Sequence, residues 1–216
     1  MRLLLFAVCL SALGAGYAAL VSRWRPAEPP AAASRAATPE DPERDGRPAV
    51  RTRVVVDAYV VRGQTRGEVL ASMLAGGPRP DGEAFFGLTV AEVALRYNAD
   101  SDASGCVLTD VEVDLAVTIT LPDWTPQAPA EPALARDWGR FRRALAAHED
   151  RHREIAEAGA ASAAQALDGL RRASCAATEA EAQRRLTRLE GALAAAQNRY
   201  DAETDHGRTE GAVWSR

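Results

Sequence analysis

The sequence predicts an α+β fold, a small antiparallel sheet packed on two long C-terminal helices, and three observations carry that expectation. Residues 106–121 (CVLTDVEVDLAVTITL) alternate apolar and polar positions, which places Val111, Val113, Leu115, Val117 and Ile119 on one face of a strand that Pro122 ends. Beyond the loop LPDWTPQAPAEP the composition turns to Ala, Arg, Glu and Leu, and apolar residues recur every three or four positions, the period of an amphipathic helix. Strands therefore come first and helices after, the segregated order of an α+β domain rather than the alternation of a parallel α/β sheet.

Taken from the N-terminus, residues 3–22 carry no charge and are closed by Arg23 and Arg25. The apolar run Leu3 to Leu13 has the length of an export h-region, and Gly16-Tyr17-Ala18 puts small residues where a signal peptidase reads. Residues 1–24 are expected to be a signal peptide or, since twenty uncharged residues suffice to span a bilayer, an N-terminal membrane anchor. Residues 25–49 hold half of the chain's 12 prolines without an apolar period, the composition of a Pro/Ala-rich disordered linker. The folded domain is expected over residues 50–216. In it, the β-branched run Arg51 to Val61 reads as a strand stopped by Gly63, and Thr65 with Glu68 forms a capping box for a short helix ending at Gly76-Gly77-Pro78. Leu88 to Tyr97 fits strand or helix by period, and its place before a Ser/Asp/Gly loop and another strand selects strand. The first long helix is expected from about Ala133 to Arg172 with a stripe of Leu134, Trp138, Phe141, Leu145, His148, His152 and Ile155. Thr178 and Glu181 supply a second capping box for the other, whose stripe Leu186, Leu189, Leu193 and Tyr200 runs into Asp201.

Residues 148–152 spell H-E-x-x-H inside the first helix. Residues four apart lie on one helical face, so His148 and His152 can offer their imidazoles to one metal ion, with Zn²⁺ the favoured cation. Glu149, about 100° further round the helix axis, is placed to act as general base on water. A catalytic zinc site takes three protein ligands, and His206, the only other histidine, is the expected third, with Asp205, Glu203 and Glu157 as rivals. Tyr200 is a candidate hydrogen-bond donor to a tetrahedral oxyanion, against an ordinary packing role at a helix end.

The residues Trp124-Thr125-Pro126, the HEDRH run, and Tyr200-Asp201 with Thr204, His206 and Gly207 carry a family likeness. Over about residues 52–214 the chain resembles the bacterial domain-of-unknown-function 922 family, described as predicted secreted zinc-dependent proteases. The resemblance implies a zincin-like metallopeptidase with His148 and His152 as ligands and Glu149 as base.

The remaining features bound the function. Thirty acidic against 26 basic residues give a net charge of -4, which offers no positive field for nucleic acid; a peptide or protein substrate is the expected partner. Cys106 and Cys175 are the two cysteines outside the export segment, and in a periplasmic or extracellular protein they are expected to form a disulfide. The arginines along the metal helix are interleaved with Asp137, Glu149, Asp150, Glu154 and Glu157, as on a solvated face of i,i+4 pairs, and Trp124 and Trp138 read as packing residues. The rival reading from another class is a non-catalytic cell-envelope protein with a structural metal site and a helical interaction surface.

Overall fold

The computed structural model describes residues 2–10, 48–80 and 82–215. Along the chain run β1 (Arg2–Leu10), β2 (Ala49–Val61), α1 (Arg66–Gly76), β3 (Leu88–Asp102), β4 (Gly105–Trp124), α2 (Pro132–Leu167), β5 (Arg171–Arg172) and α3 (Cys175–Thr204), followed by a 3₁₀ turn at Arg208–Glu210. The α+β class is as expected. The strands lie in the order β1-β3-β4-β2, with β5 against the start of β4.

The sheet is mixed rather than wholly antiparallel: β1–β3 and β3–β4 are antiparallel, but β2 pairs parallel to β4. The reason lies in the connection. Between β2 and β4 the chain forms α1 and all of β3, ample length for the crossover that a parallel pair requires. The apolar start of the chain supplies β1, from Arg2 opposite Tyr97 to Leu10 opposite Thr89. The proposed cleavage site at Gly16-Tyr17-Ala18 and nearly all of the Pro-rich linker lie outside the described residues. Among the described residues, no helix is long and apolar enough to cross a membrane.

Along β4, Val111, Val113, Leu115, Val117 and Ile119 are all buried, the face that alternation marks. Cys106 and Leu108, of the opposite parity, are buried as well. A bulge reconciles the two sets: Arg96 faces Glu112 and Asn98 faces Thr109, so the single Tyr97 opposes both Asp110 and Val111. Asp110, at φ 50°, absorbs the extra residue.

The capping box at Thr65 and Glu68 is present and opens α1. Helix α2 begins with Pro132 in its first turn, where the missing N–H is harmless, while Glu131 accepts from the Leu134 N–H at 2.9 Å. It ends at Leu167 instead of reaching Arg172, because the chain turns through Gly169 at φ 64° and adds β5 to the sheet. The second expected capping box is corrected too. Ser174 caps α3, and Thr178 is a buried residue within it whose hydroxyl lies 2.8 Å from the Cys106 carbonyl oxygen. The disulfide Cys106–Cys175, expected from the cysteine count, joins β4 to the first residue of α3.

Helix α2 lies on the sheet and α3 packs on α2. Trp138 and Phe141 of α2 meet Trp124, Phe86 and Trp214 with ring centroids 5.5–5.7 Å apart, which pins the C-terminal tail and the loop before β3 to one end of α2. Arginines of α2 pair with the interleaved acids, but mostly three residues apart rather than the expected four: Arg140 with Asp137, Arg151 with Glu154 and Arg153 with Asp150, with Arg153 and Glu157 alone of these at i,i+4.

Candidate metal centre

The apolar stripe of α2 faces the protein interior, so the two histidines that continue it are carried inside. His148, Glu149 and His152 are all buried. Opposite them α3 presents Gln197 and Asp201, also buried. The Nε2 atoms of His148 and His152 are 3.3 Å apart, and Asp201 Oδ1 lies 3.3 Å from the first and 3.0 Å from the second. A tetrahedral zinc ion with bonds near 2.0 Å has ligand–ligand edges of about 3.3 Å, so this triangle has the dimensions of one tetrahedral face.

The ring tautomers follow from the outer partners. Gln197 donates its amide N–H to the His152 carbonyl at 3.0 Å, which fixes its oxygen toward His152 Nδ1 at 2.6 Å. That nitrogen must therefore carry the proton, and in the neutral ring Nε2 carries a lone pair. For His148 the acceptor facing Nδ1 is Glu210 Oε2, at 3.1 Å, with the same consequence. Two nitrogen lone pairs and a carboxylate oxygen then converge at close range, which is favourable only with positive charge between them. Protons or a cation can supply it, and the donor set of two imidazoles and one carboxylate suits zinc. The residues present fit a metal ion.

Burial opposes protonation of His152, but the hydrogen bond and charge of Asp201, with Gln197, outweigh it and raise its pKa. Burial likewise works against the Asp201 carboxylate, yet the two histidines hold its pKa well below the usual carboxylate range. Glu149 moves the other way, because desolvation dominates over the nearby histidines and its pKa rises. Its carboxylate is held by Thr89 of β3, whose Oγ1 is 2.8 Å from Oε2 and 3.0 Å from the Glu149 carbonyl oxygen. The hydroxyl serves both charge states: it donates to the ionised carboxylate, or accepts from the protonated acid while donating to the carbonyl. Space for Glu149 comes from Gly87, where a Cβ would stand 2.6 Å from Oε1. Gly207 serves His148 in the same way: at φ 76° its backbone passes so near the ring that a Cβ would lie 2.9 Å from Cγ.

A cavity of about 340 Å³ opens onto His148, Glu149, His152 and Asp201, walled by residues 83–88 and by the tail at residues 212–214. The expected third ligand is placed differently. His206 lines this cavity with Nδ1 3.6 Å from Asp201 Oδ1, but it is outside the group of His148, His152 and Asp201, whose ligand atoms all lie within 4.8 Å of one another. Of its rivals, Asp205 pairs with Arg208, Glu157 pairs with Arg153, and Glu203 is exposed. Tyr200 stacks on the His148 ring at 4.9 Å, and its hydroxyl donates to Glu210, 2.9 Å from Oε2. Burial and the Glu210 carboxylate both push the Tyr200 pKa up. Asp201 was legible as a member of the motif but not as a candidate ligand; the four-residue steps from the partly buried Leu193 to the buried Gln197 and Asp201 along one face of α3 are the signal that marks it.

Fold and site together define an α+β protein whose two long helices bring a His-His-Asp group, able to hold a metal ion, beneath a cavity. Residues 56–207 match the family described as bacterial protein of unknown function (DUF922), and the chain belongs to that family. No curated protein and no solved structure matches it significantly.

Proposed function

We propose that the chain is an exported zinc-dependent peptidase that hydrolyses amide bonds in a peptide or protein substrate. The observation that carries this reading is the convergence of two imidazole Nε2 atoms and the Asp201 carboxylate within 3.3 Å of one another, beside a buried glutamate and at the floor of a cavity. When bound there, zinc would polarise the substrate carbonyl and lower the pKa of a coordinated water to about 7. His148, His152 and Asp201 would hold it, with Glu210 and Gln197 fixing the rings from outside.

Glu149 then works as the base. Its raised pKa brings a carboxylate toward the range in which it can both take a proton from attacking water and return it to the leaving amine. Thr89 keeps it aimed through both states. The cavity, within the usual size range of ligand sites, admits a few residues of a chain between residues 83–88 and the C-terminal tail. The disulfide supports a periplasmic or extracellular location, and the uncharged run at residues 3–22 has the composition of an export signal or anchor; β1 is drawn from that run, so it pairs with β3 only in chains where the run is neither removed nor inserted in a membrane.

The test is zinc stoichiometry of the dialysed protein together with hydrolysis of a fluorogenic peptide library. One zinc per chain is expected, lost in His148→Ala and Asp201→Ala. Glu149→Gln should keep its zinc and lose at least about 100-fold in rate. Wild-type protein that retains no zinc, or a Glu149→Gln variant of undiminished activity, would sink the proposal.

A further inference from the structure

Besides the ligand group and Glu149, the cavity is lined by two side chains of the turn after α3, His206 and Arg208. Arg208 is paired through Nε with Asp205 at 2.9 Å. Tyr200, the donor that the sequence offers for an oxyanion, has its hydroxyl on Glu210 and its ring flat against His148. His206 is differently placed. Its ring is partly exposed to the cavity, and its Nδ1, 3.6 Å from Asp201 Oδ1, is beyond hydrogen-bonding reach of that oxygen. The contact with Asp201 therefore does not consume the ring's N–H.

The backbone is shaped to put it there. Asp205 at φ 47° and His206 at φ 54° are two successive non-glycine residues in the left-handed region, and Gly207 at φ 76° makes a third. Such strain persists only where surrounding structure enforces it, and it collects at functional sites. Here it is enforced from both sides. The His206 N–H bonds back to the Asp201 carbonyl at 2.9 Å, and the Gly207 N–H donates to Thr204 Oγ1 at 3.1 Å. The reversal turns residue 206 back over the end of α3 onto the cavity that holds Asp201.

We infer that His206 is a catalytic hydrogen-bond donor, whose ring N–H receives the oxyanion that develops on the substrate carbonyl. The inference rests on the peptidase reading and gives it its missing electrostatic component. When the water oxygen bonds to the carbonyl carbon, the C=O π pair moves onto the carbonyl oxygen and the water's proton passes to Glu149. When the C–N bond breaks, that pair returns to re-form the carbonyl and the amine nitrogen takes the proton from Glu149. His206 transfers nothing; it stabilises the charge between the two events, as donors about 3 Å from a developing oxyanion do.

The experiment uses the full chain loaded with Co²⁺ and titrated with inorganic phosphate, a stable tetrahedral oxyanion, followed by visible absorption. His206→Ala should weaken phosphate binding at least about tenfold while leaving cobalt stoichiometry and the phosphate-free spectrum unchanged, and should lower kcat by about 100-fold or more with little change in KM. His206→Gln, which restores an N–H, should recover part of both losses. A changed phosphate-free spectrum or loss of cobalt in His206→Ala would make His206 a ligand and overturn the assignment, as would phosphate affinity equal to wild type or a wild-type protein that binds no phosphate. Protein that takes up no cobalt removes the metal reading and this one with it. His206-dependent phosphate binding in a protein that cleaves no peptide would remove the peptidase reading alone and leave the oxyanion site standing.

Discussion

At His152 burial and charge pull in opposite directions, and the outcome sets how the candidate metal centre responds to pH. Its pKa is raised in the folded chain, so its pairing with Asp201 stabilises metal-free protein below the ordinary histidine value of 6.5 and is lost as pH rises through the folded value. Asp201 has a depressed pKa, so its contribution is present above the ordinary 3.8 and is lost as pH falls through the folded value. The metal-free pair is therefore strongest between those two ordinary values. A metal needs the same Nε2 lone pair that the proton occupies, and displacing a bound proton costs about 1.4 kcal/mol for each pH unit below the folded pKa. The rise in melting temperature on adding zinc should thus be larger at pH 8 than at pH 6 at fixed free zinc. Differential scanning fluorimetry reads this directly, and a zinc-induced shift independent of pH would show that His152 is not deprotonated on metal uptake.

Between the helices, what could be read in advance and what could not have one physical origin. Helix α2 was legible because its two candidate metal-binding histidines continue the apolar period: Phe141, Leu145, His148 and His152 lie in one stripe, and all four are buried. In α3 the stripe changes chemistry midway, from Leu186 and Leu193 to Gln197, Asp201 and Thr204, which a hydrophobic period assigns to the solvent side. Gln197 and Asp201 can be buried because α2 satisfies them, and Thr204 because its hydroxyl bonds the Tyr200 carbonyl of its own helix and the Gly207 N–H of the turn that follows. Ligand counting by residue type preferred His206, since spacing alone does not reveal that α3 ends in a left-handed reversal. Gln197 is the joint between the two elements, bonded to both the ring and the carbonyl of His152. Gln197→Leu fills similar volume but frees the ring and removes the second donor to that carbonyl, which keeps its bond within α2. Outer partners of this kind are worth about 10–100-fold in metal affinity. Competition with a chromogenic chelator should show a loss of that order with helical content by circular dichroism retained; unaltered zinc affinity would mean that helix packing alone orients His152.

For the whole molecule, the long-range pairing of β2 beside β4 was beyond a local reading, because alternation marks a strand's faces and not its neighbour or direction. The disulfide was legible, since only two cysteines fall outside the N-terminal segment, and its position in the fold gives it a wider role than a local staple. Cys106 is the second residue of β4 and Cys175 begins α3, so the bridge closes a span of 69 residues containing the rest of β4, all of α2 and β5. His148, Glu149 and His152 lie inside that loop, while Asp201 lies beyond it on the helix that the bridge anchors. In the chain-entropy account, a loop of this length restricts the unfolded chain by about 4 kcal/mol, a large share of the 5–15 kcal/mol typical of a folded domain. At roughly 2–4 °C per kcal/mol for a chain of this size, replacing both cysteines with serine should lower the melting temperature by roughly 10 °C. The double variant should still bind zinc at low temperature, because Thr178 continues to tie α3 to the Cys106 carbonyl. Thermal unfolding of oxidised wild type, reduced wild type and the double variant separates the contributions: reduction and substitution should shift the midpoint alike. Equal midpoints in all three would show that packing of α2 and α3 on the sheet holds the centre together without the bridge.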